Sequence, residues 1–175
     1  MPTHRDYTSW AFTDFWLEHG NKILENKHPI VLDVGCRDKS MQNFLEMLGL
    51  KWIGVDCNPA DPEVANMNMT ELRLGGETID LVFICHAFEH CHNPLKALQE
   101  AYRVLKKGGY LFISSPNPIE KQITNGDEDH IFVLNPMQME KLLNFVGLKN
   151  VKSYLQIKDI KEEQNYNVIS IGGKE

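Results

Sequence analysis

The chain has 175 residues, 42% of them hydrophobic and 24% charged, with 18 Lys and Arg against 24 Asp and Glu for a formal net charge of −6. Those values suit one folded globular domain and exclude a disordered, collagen-like or coiled-coil chain. The acidic balance, without a dense Lys/Arg run, sets nucleic acid aside as an expected partner, and no apolar run is long enough to span a bilayer.

In chain order, residues 9–25 place Trp10, Phe12, Phe15, Trp16, Ile23 and Leu24 roughly on one helical face that Gly20 interrupts. A helix is predicted there, with Trp10, Phe15 and Trp16 covering a hydrophobic edge of a sheet. Residues 1–28 are read as a helical appendage or lid on a domain spanning 29–175. Asp6, Thr8 and Asp14 stand where a secretory signal has its apolar stretch, so a cytoplasmic location is expected. Pro29 to Gly35 is a nearly continuous apolar run, the pattern of a strand buried on both faces of a parallel sheet. Ser40 resembles an N-cap for a helix through Phe44, Leu45 and Leu48 that stops at Gly49, and Lys51–Asp56 is the next strand.

Residues 58–76 are rich in Asn, Pro, Asp and Gly, leaving room for a short strand around Ala65–Met69. Ile79–Cys85 is a buried strand, and a helix follows from Pro94 with Leu95, Leu98, Ala101, Tyr102 and Leu105 on one stripe. Lys106, Lys107, Gly108 and Gly109 are read as its C-terminal end, ahead of a strand over Tyr110–Ser114. A polar stretch from Pro116 to Asp129 leads to a helix at Pro136–Val146 and to strands near Val151–Ile157 and Val168–Ile171. Alternating strands and helices predict a doubly wound, Rossmann-like α/β sheet of about seven strands, mostly parallel with an antiparallel edge strand and helices on both faces.

Ligands of such sheets bind beyond the carboxyl ends of the strands. Asp33, Gly35, Cys36 and Arg37 stand at the first strand end, and Asp56 ends the second strand 23 residues after Asp33. An ionised carboxylate offers acceptors only, which suits Asp56 to a ribose diol. A pyrophosphate site needs G-x-G-x-x-G, but Arg37 and Lys39 occupy the places of the later glycines. Asp33 beside this loop points to a ligand with positive charge.

Val31-Leu32-Asp33-Val34-Gly35-Cys36, Asp56, Ile79 through His90, and Leu105-Lys106-Lys107-Gly108-Gly109-Tyr110-Leu111 together resemble the class I S-adenosylmethionine-dependent methyltransferases. The likeness is greatest to the type 11 group that includes ubiquinone and menaquinone biosynthesis enzymes, and it covers roughly residues 28–155. The resemblance implies S-adenosyl-L-methionine as cofactor and a small-molecule methyl acceptor. It also implies that Asp33, Gly35 and Cys36 hold the methionine part, with Arg37 in the same loop. Asp56 would take the ribose, with Cys57 and Asn58 beside the adenine. Asn68, Met69 and Thr70 would read the adenine edge, and Cys85 and His86 would close over the cofactor. The family continues with two further glycines where this chain has Arg37-Asp38-Lys39.

Other readings stand beside these. Asp33 and Asp56 could cap helices. Cys36, Cys57, Cys85 and Cys91 fall at strand ends like a zinc cluster, but they lack C-x-x-C spacing and are expected to be free thiols. His86-Ala87-Phe88-Glu89-His90 spells H-x-x-E-H, but it follows a strand instead of lying on a long zincin helix. Some quinone methyltransferases of the family bind a divalent metal through E-x-x-E-H here, whereas this chain has His86 in place of the first Glu. A metal that assists deprotonation of the acceptor is the lesser reading here; no metal is assigned, and Glu89 and His90 are read as fixing the start of the helix.

Methyl transfer needs mainly alignment, with a base only where the acceptor must lose a proton. Oxygen is the expected acceptor atom, with nitrogen and carbon left open, and His86 is the candidate base, with His92 behind it. His130, after Asp127-Glu128-Asp129, could face the same cleft from the loop beyond the fifth strand. The rival readings are a catalytically silent module that binds S-adenosylmethionine or S-adenosylhomocysteine, and a nicotinamide-dependent dehydrogenase, for which a full glycine fingerprint would be expected.

Overall fold

A computed structural model describes residues 4–118, 129–157 and 166–175, with side chains described for 11–118, 129–156 and 167–175. The side chain of Trp10 and the residues Asp127 and Glu128 lie outside them.

The elements run α1 (His4–Leu24), β1 (Ile30–Val34), α2 (Gln42–Met47), β2 (Lys51–Asp56), β3 (Ala65–Asn66), β4 (Ile79–Cys85), α3 (Pro94–Val104), β5 (Leu105–Pro116), α4 (Pro136–Phe145), β6 (Lys149–Ile157) and β7 (Tyr166–Gly173). A 3₁₀ turn, Phe88–His90, follows β4. One seven-stranded sheet has the order β3-β2-β1-β4-β5-β7-β6. β1 to β5 pair in parallel, and β7 runs antiparallel between β5 and β6 at one end of the sheet. This is the expected Rossmann-like architecture. The parallel strands were legible because both of their faces are covered, which favours unbroken apolar runs.

Side chains alternate across each strand and feed two cores. Leu32, Val34, Val82, Ile84, Leu111 and Ile113 meet α3 and α4 on one face. Val31, Leu81, Phe83 and Phe112 meet α1 and α2 on the other. Phe12 of α1 is fully buried and packs edge-on against Phe83 and Phe112, each at 5.2 Å between ring centroids. Phe15 is buried beside it. Phe15 thus covers the middle of one face and not an edge, because the aromatic rings of the central strands β4 and β5 offer the larger apolar surface. Burying one such ring contributes about 2–3 kcal/mol.

Two local expectations are corrected. Ser40 caps no helix: its N–H donates to Asp38 Oδ1 at 2.9 Å, and α2 begins two residues later with Met41 at its N-cap. Asp38 closes an Asx turn that competes with the cap. Lys106 to Gly109 are not the end of α3 but part of β5, since Leu105 already pairs with Ile79 across an irregularity in the β4–β5 register. Lys106 then donates to Asp80 Oδ2 at 2.8 Å, and the same carboxylate also accepts from Asn26 and from the Ile30 N–H. The starts of α3 and α4 follow the sequence signals. Asn93 caps α3 ahead of Pro94, and Asn135 with Gln138 forms a capping box ahead of Pro136.

Candidate active site

The carboxyl ends of β1, β2 and β4 open into a cleft of about 710 Å³. All twelve residues that the sequence marks for the cofactor line it: Asp33, Gly35, Cys36, Arg37, Asp56, Cys57, Asn58, Asn68, Met69, Thr70, Cys85 and His86. Lining it as well, without a cofactor role assigned from sequence, are Ser40, Met41, Met67, Ala87, Cys91 and Asn93, together with His90 and the second candidate base His92. Residues 87–93 directly follow the β4 end, so extending the strand-end rule past His86 would have found them.

The loop after β1 is fixed from both sides. Gly35 takes the left-handed conformation at φ +74°, and its N–H donates to Val55 O at 2.8 Å. Arg37, at the place of a second glycine, is itself left-handed at φ +58°. Its N–H donates to Asp56 Oδ2 at 2.8 Å, and its carbonyl accepts from the Ala60 N–H at 2.7 Å. The loop therefore keeps a glycine-like path without the glycine, held by hydrogen bonds that offset the cost of the conformation. Asp56 Oδ1 accepts from the Asn58 N–H at 2.7 Å, so each carboxylate oxygen already has one backbone donor and retains a second lone pair.

Asp33 is only 3% exposed, and its Oδ2 accepts from Trp52 Nε1 at 3.0 Å. Across the cleft, Asn68 Oδ1 accepts from both the N–H and the hydroxyl of Thr70, at 2.9 and 2.8 Å, which fixes the turn after β3. Burial pushes the thiols of Cys36 and Cys91 up from their ordinary values, and the nearby Asp33 adds to the rise at Cys36. Those two thiols are thereby kept protonated and poorly suited to nucleophilic attack.

At the β4 end His86 has a positive φ of 48°, and its N–H donates to Ser114 O at 2.8 Å. Its Nδ1 lies 3.6 Å from Glu89 Oε1, and the Glu89 side chain is 1% exposed. His130 does not line the cleft; its Nε2 lies 3.9 Å from the same Glu89 oxygen. The segment carrying His130 is tied down where the Ile131 N–H donates to Glu89 O at 3.0 Å and where His90 Nδ1 meets Asp129 O at 2.9 Å. Glu89 thus joins the two histidines that the sequence singled out, a link between residues 44 positions apart that is invisible in local pattern. Among the described residues, Glu89, His90 and His130 each offer a ligand atom within 4.8 Å of the others, whereas the four cysteines form no such group.

Known proteins share both pattern and architecture. A family model described as a methyltransferase domain matches residues 32–113. The ubiquinone biosynthesis O-methyltransferase of Aliivibrio fischeri is 24% identical over 162 residues, covering 74% of this chain and 69% of the relative. A probable S-adenosylmethionine-dependent methyltransferase of Mycolicibacterium smegmatis is 25% identical over 132 residues, covering 68% and 51%. Among solved structures, an S-adenosylmethionine-dependent methyltransferase from Archaeoglobus fulgidus has a TM-score of 0.73 at 20% identity, covering 94% of this chain and 93% of the other. Phosphoethanolamine N-methyltransferase 2 of Haemonchus contortus, solved with S-adenosyl-L-methionine, has a TM-score of 0.66 at 16% identity, covering 84% and 49%. In its ordered strand-end motifs, its strand order and the methyltransferase-domain match over residues 32–113, this chain is similar to the S-adenosylmethionine-dependent methyltransferases.

Proposed function

We propose that the chain transfers the methyl group of S-adenosylmethionine to an oxygen atom of a small-molecule acceptor, with Asp33 and Asp56 as the main charged contacts of the cofactor and His86 as the group that takes the acceptor's proton. The observation that carries this reading is the cleft, where two carboxylates at neighbouring strand ends face a histidine at a third. Its volume falls within the range of roughly 300–1,000 Å³ typical of small-ligand sites. When bound, the cofactor supplies a methyl group on a positively charged sulfur, a leaving group that needs no acid.

The chain's own residues bind, align and take up a proton. The second lone pairs of Asp56 accept the two ribose hydroxyls, and the buried Asp33 carboxylate attracts the ammonium of the amino-acid tail. Gly35, Cys36 and Arg37 follow that tail, Cys57 and Asn58 flank the base, Asn68, Met69 and Thr70 read its edge, and Cys85 closes the floor. The Glu89 carboxylate, 3.6 Å from His86 Nδ1, stabilises by its charge the imidazolium formed as the acceptor oxygen gives up its proton. His130 shares that carboxylate from behind. The O-methyltransferase name of the Aliivibrio relative supports oxygen as the acceptor atom.

The test incubates the chain with methyl-labelled S-adenosylmethionine and a panel of phenols, amines and carbon acids, and identifies the bond formed by mass spectrometry. The reading requires an O-methyl product and a loss of roughly 10²–10⁴ in turnover for His86→Ala with S-adenosylhomocysteine affinity retained. An N- or C-methyl product overturns the oxygen assignment, and tight S-adenosylhomocysteine binding without turnover points to the silent module.

A second reading, in which a divalent cation activates the acceptor oxygen, is favoured by one arrangement. Both oxygens of buried Glu89 lack a hydrogen-bond partner among the described residues, and His90 and His130 bring nitrogens to within ligand spacing of it. Chelation distinguishes the two, abolishing turnover in the cation reading and leaving it unchanged in the histidine reading.

A further inference from the structure

Asp33 is the more deeply buried of the two cleft carboxylates, and a buried anion needs donors. One of them, Trp52 Nε1, comes from an unexpected place. The β1–β2 register sets Asp33 against Gly54 and Val31 against Trp52, so the indole lies forward along β2 to reach Asp33 Oδ2 at 3.0 Å. Gly54 leaves the space it crosses. A Cβ there would sit 2.2 and 2.3 Å from Trp52 Cζ2 and Cη2, and 2.9 Å from Cys36 Sγ in the loop after β1. Glycine, indole, carboxylate and loop are therefore packed as one unit on the sheet face that also carries Val31 and Phe83.

We infer that Trp52 is a positioning residue for the amino-acid part of the cofactor: its indole N–H holds the Asp33 carboxylate in one orientation at the cleft, and Gly54 is the residue that lets it reach. The inference rests on the reading of the cleft as the S-adenosylmethionine site. A hydrogen bond to a charged acceptor is directional and about twice as strong as a neutral one, so Asp33 is presented to an incoming ammonium with its rotamer already chosen. Without the indole, ligand binding itself would have to order that side chain and lose affinity accordingly. The aromatic surface of Trp52 packs against the buried cluster that holds Val31, Leu45 and Phe83, a packing that a phenylalanine would largely preserve.

The experiment is isothermal titration of the wild type, Trp52→Phe, Asp33→Asn and the double variant with two ligands. S-adenosylhomocysteine carries the amino-acid tail, whereas 5′-methylthioadenosine keeps base, ribose and thioether without it. Trp52→Phe is expected to weaken S-adenosylhomocysteine about tenfold while leaving 5′-methylthioadenosine within about twofold. The double variant is expected to bind no worse than Asp33→Asn, since the indole acts through that carboxylate. Gly54→Ala, which displaces the ring without changing its chemistry, gives the same ligand-selective loss and serves if the phenylalanine variant does not fold. Equal weakening of both ligands, unchanged S-adenosylhomocysteine binding, or fully additive losses in the double variant would overturn the inference alone. Failure of the wild type to bind either ligand would overturn the cleft reading and the inference with it.

Discussion

Replacing Gly35 with alanine perturbs the turn between β1 and the cleft in two separable ways. The residue sits at φ +74°, and an alanine there carries a left-handed cost of about 1–2 kcal/mol. The new methyl would also lie 2.3 Å from the Cβ of Ala87, well inside van der Waals contact. Neither wall retreats easily. Gly35 is tied through its N–H to Val55 O, and His86, next to Ala87, is tied through its N–H to Ser114 O at 2.8 Å. Overpacking of that kind costs about 1–3 kcal/mol. The sum is about 2–5 kcal/mol, which for a chain of this size lowers the melting temperature by roughly 5–20 °C. Thermal unfolding followed by circular dichroism reads the shift, and the double variant Gly35→Ala/Ala87→Gly separates its parts. Removing the Ala87 methyl relieves the collision and leaves the dihedral cost, so the double variant should melt above the single one. A Gly35→Ala protein melting within about 1 °C of wild type, or a double variant no more stable than the single, would refute the reasoning.

Asp56→Ala removes the acceptor of two backbone N–H groups as well as the proposed ribose contact. Titration calorimetry should show S-adenosylhomocysteine affinity reduced at least about 100-fold, with roughly 1–3 kcal/mol lost in urea unfolding; affinity within about threefold removes the ribose assignment. Arg37→Gly should raise stability in the same assay by about 1 kcal/mol, because glycine adopts φ +58° without a Cβ penalty; unchanged or lower stability would contradict the strain assigned to that residue. The Arg103 hydrogen bond, helped by the Leu72 N–H and Lys96, holds the Glu100 carboxyl below its ordinary value of 4.5. A carboxyl lowered on folding contributes stability that is full above about pH 4.5 and fades as pH falls through its folded value. Glu100→Gln should therefore be less stable than wild type at pH 7, with the gap narrowing in acid; a gap independent of pH contradicts the assignment.

Much of the fold was legible because the signals were local. Buried parallel strands leave unbroken apolar runs, and Asn-Pro pairs at 93–94 and 135–136 announce helix starts. Ser40 misled because the competing Asx turn of Asp38 has the same composition as a cap. Lys106 to Gly109 misled because positive charge and glycine mark a helix end as readily as a strand that begins at an irregular register. At the site, strand-end position pointed to Asp33, Gly35, Cys36, Arg37 and Asp56, while the other cofactor residues that line the cleft came from the resemblance to the methyltransferases. What escaped were contacts that need the third dimension. The Trp52 indole crosses Gly54 of its own strand to reach Asp33 on the neighbouring one, and the Glu89 carboxylate gathers His86 and His130 from segments far apart in the chain.

A crystal structure of the chain grown with saturating S-adenosylhomocysteine tests the placement of the cofactor most directly. The ribose hydroxyls should lie within hydrogen-bond distance of Asp56 and the ammonium against Asp33, with the thioether turned toward His86. A ligand seated elsewhere, or an empty cleft under saturating conditions, would contradict it.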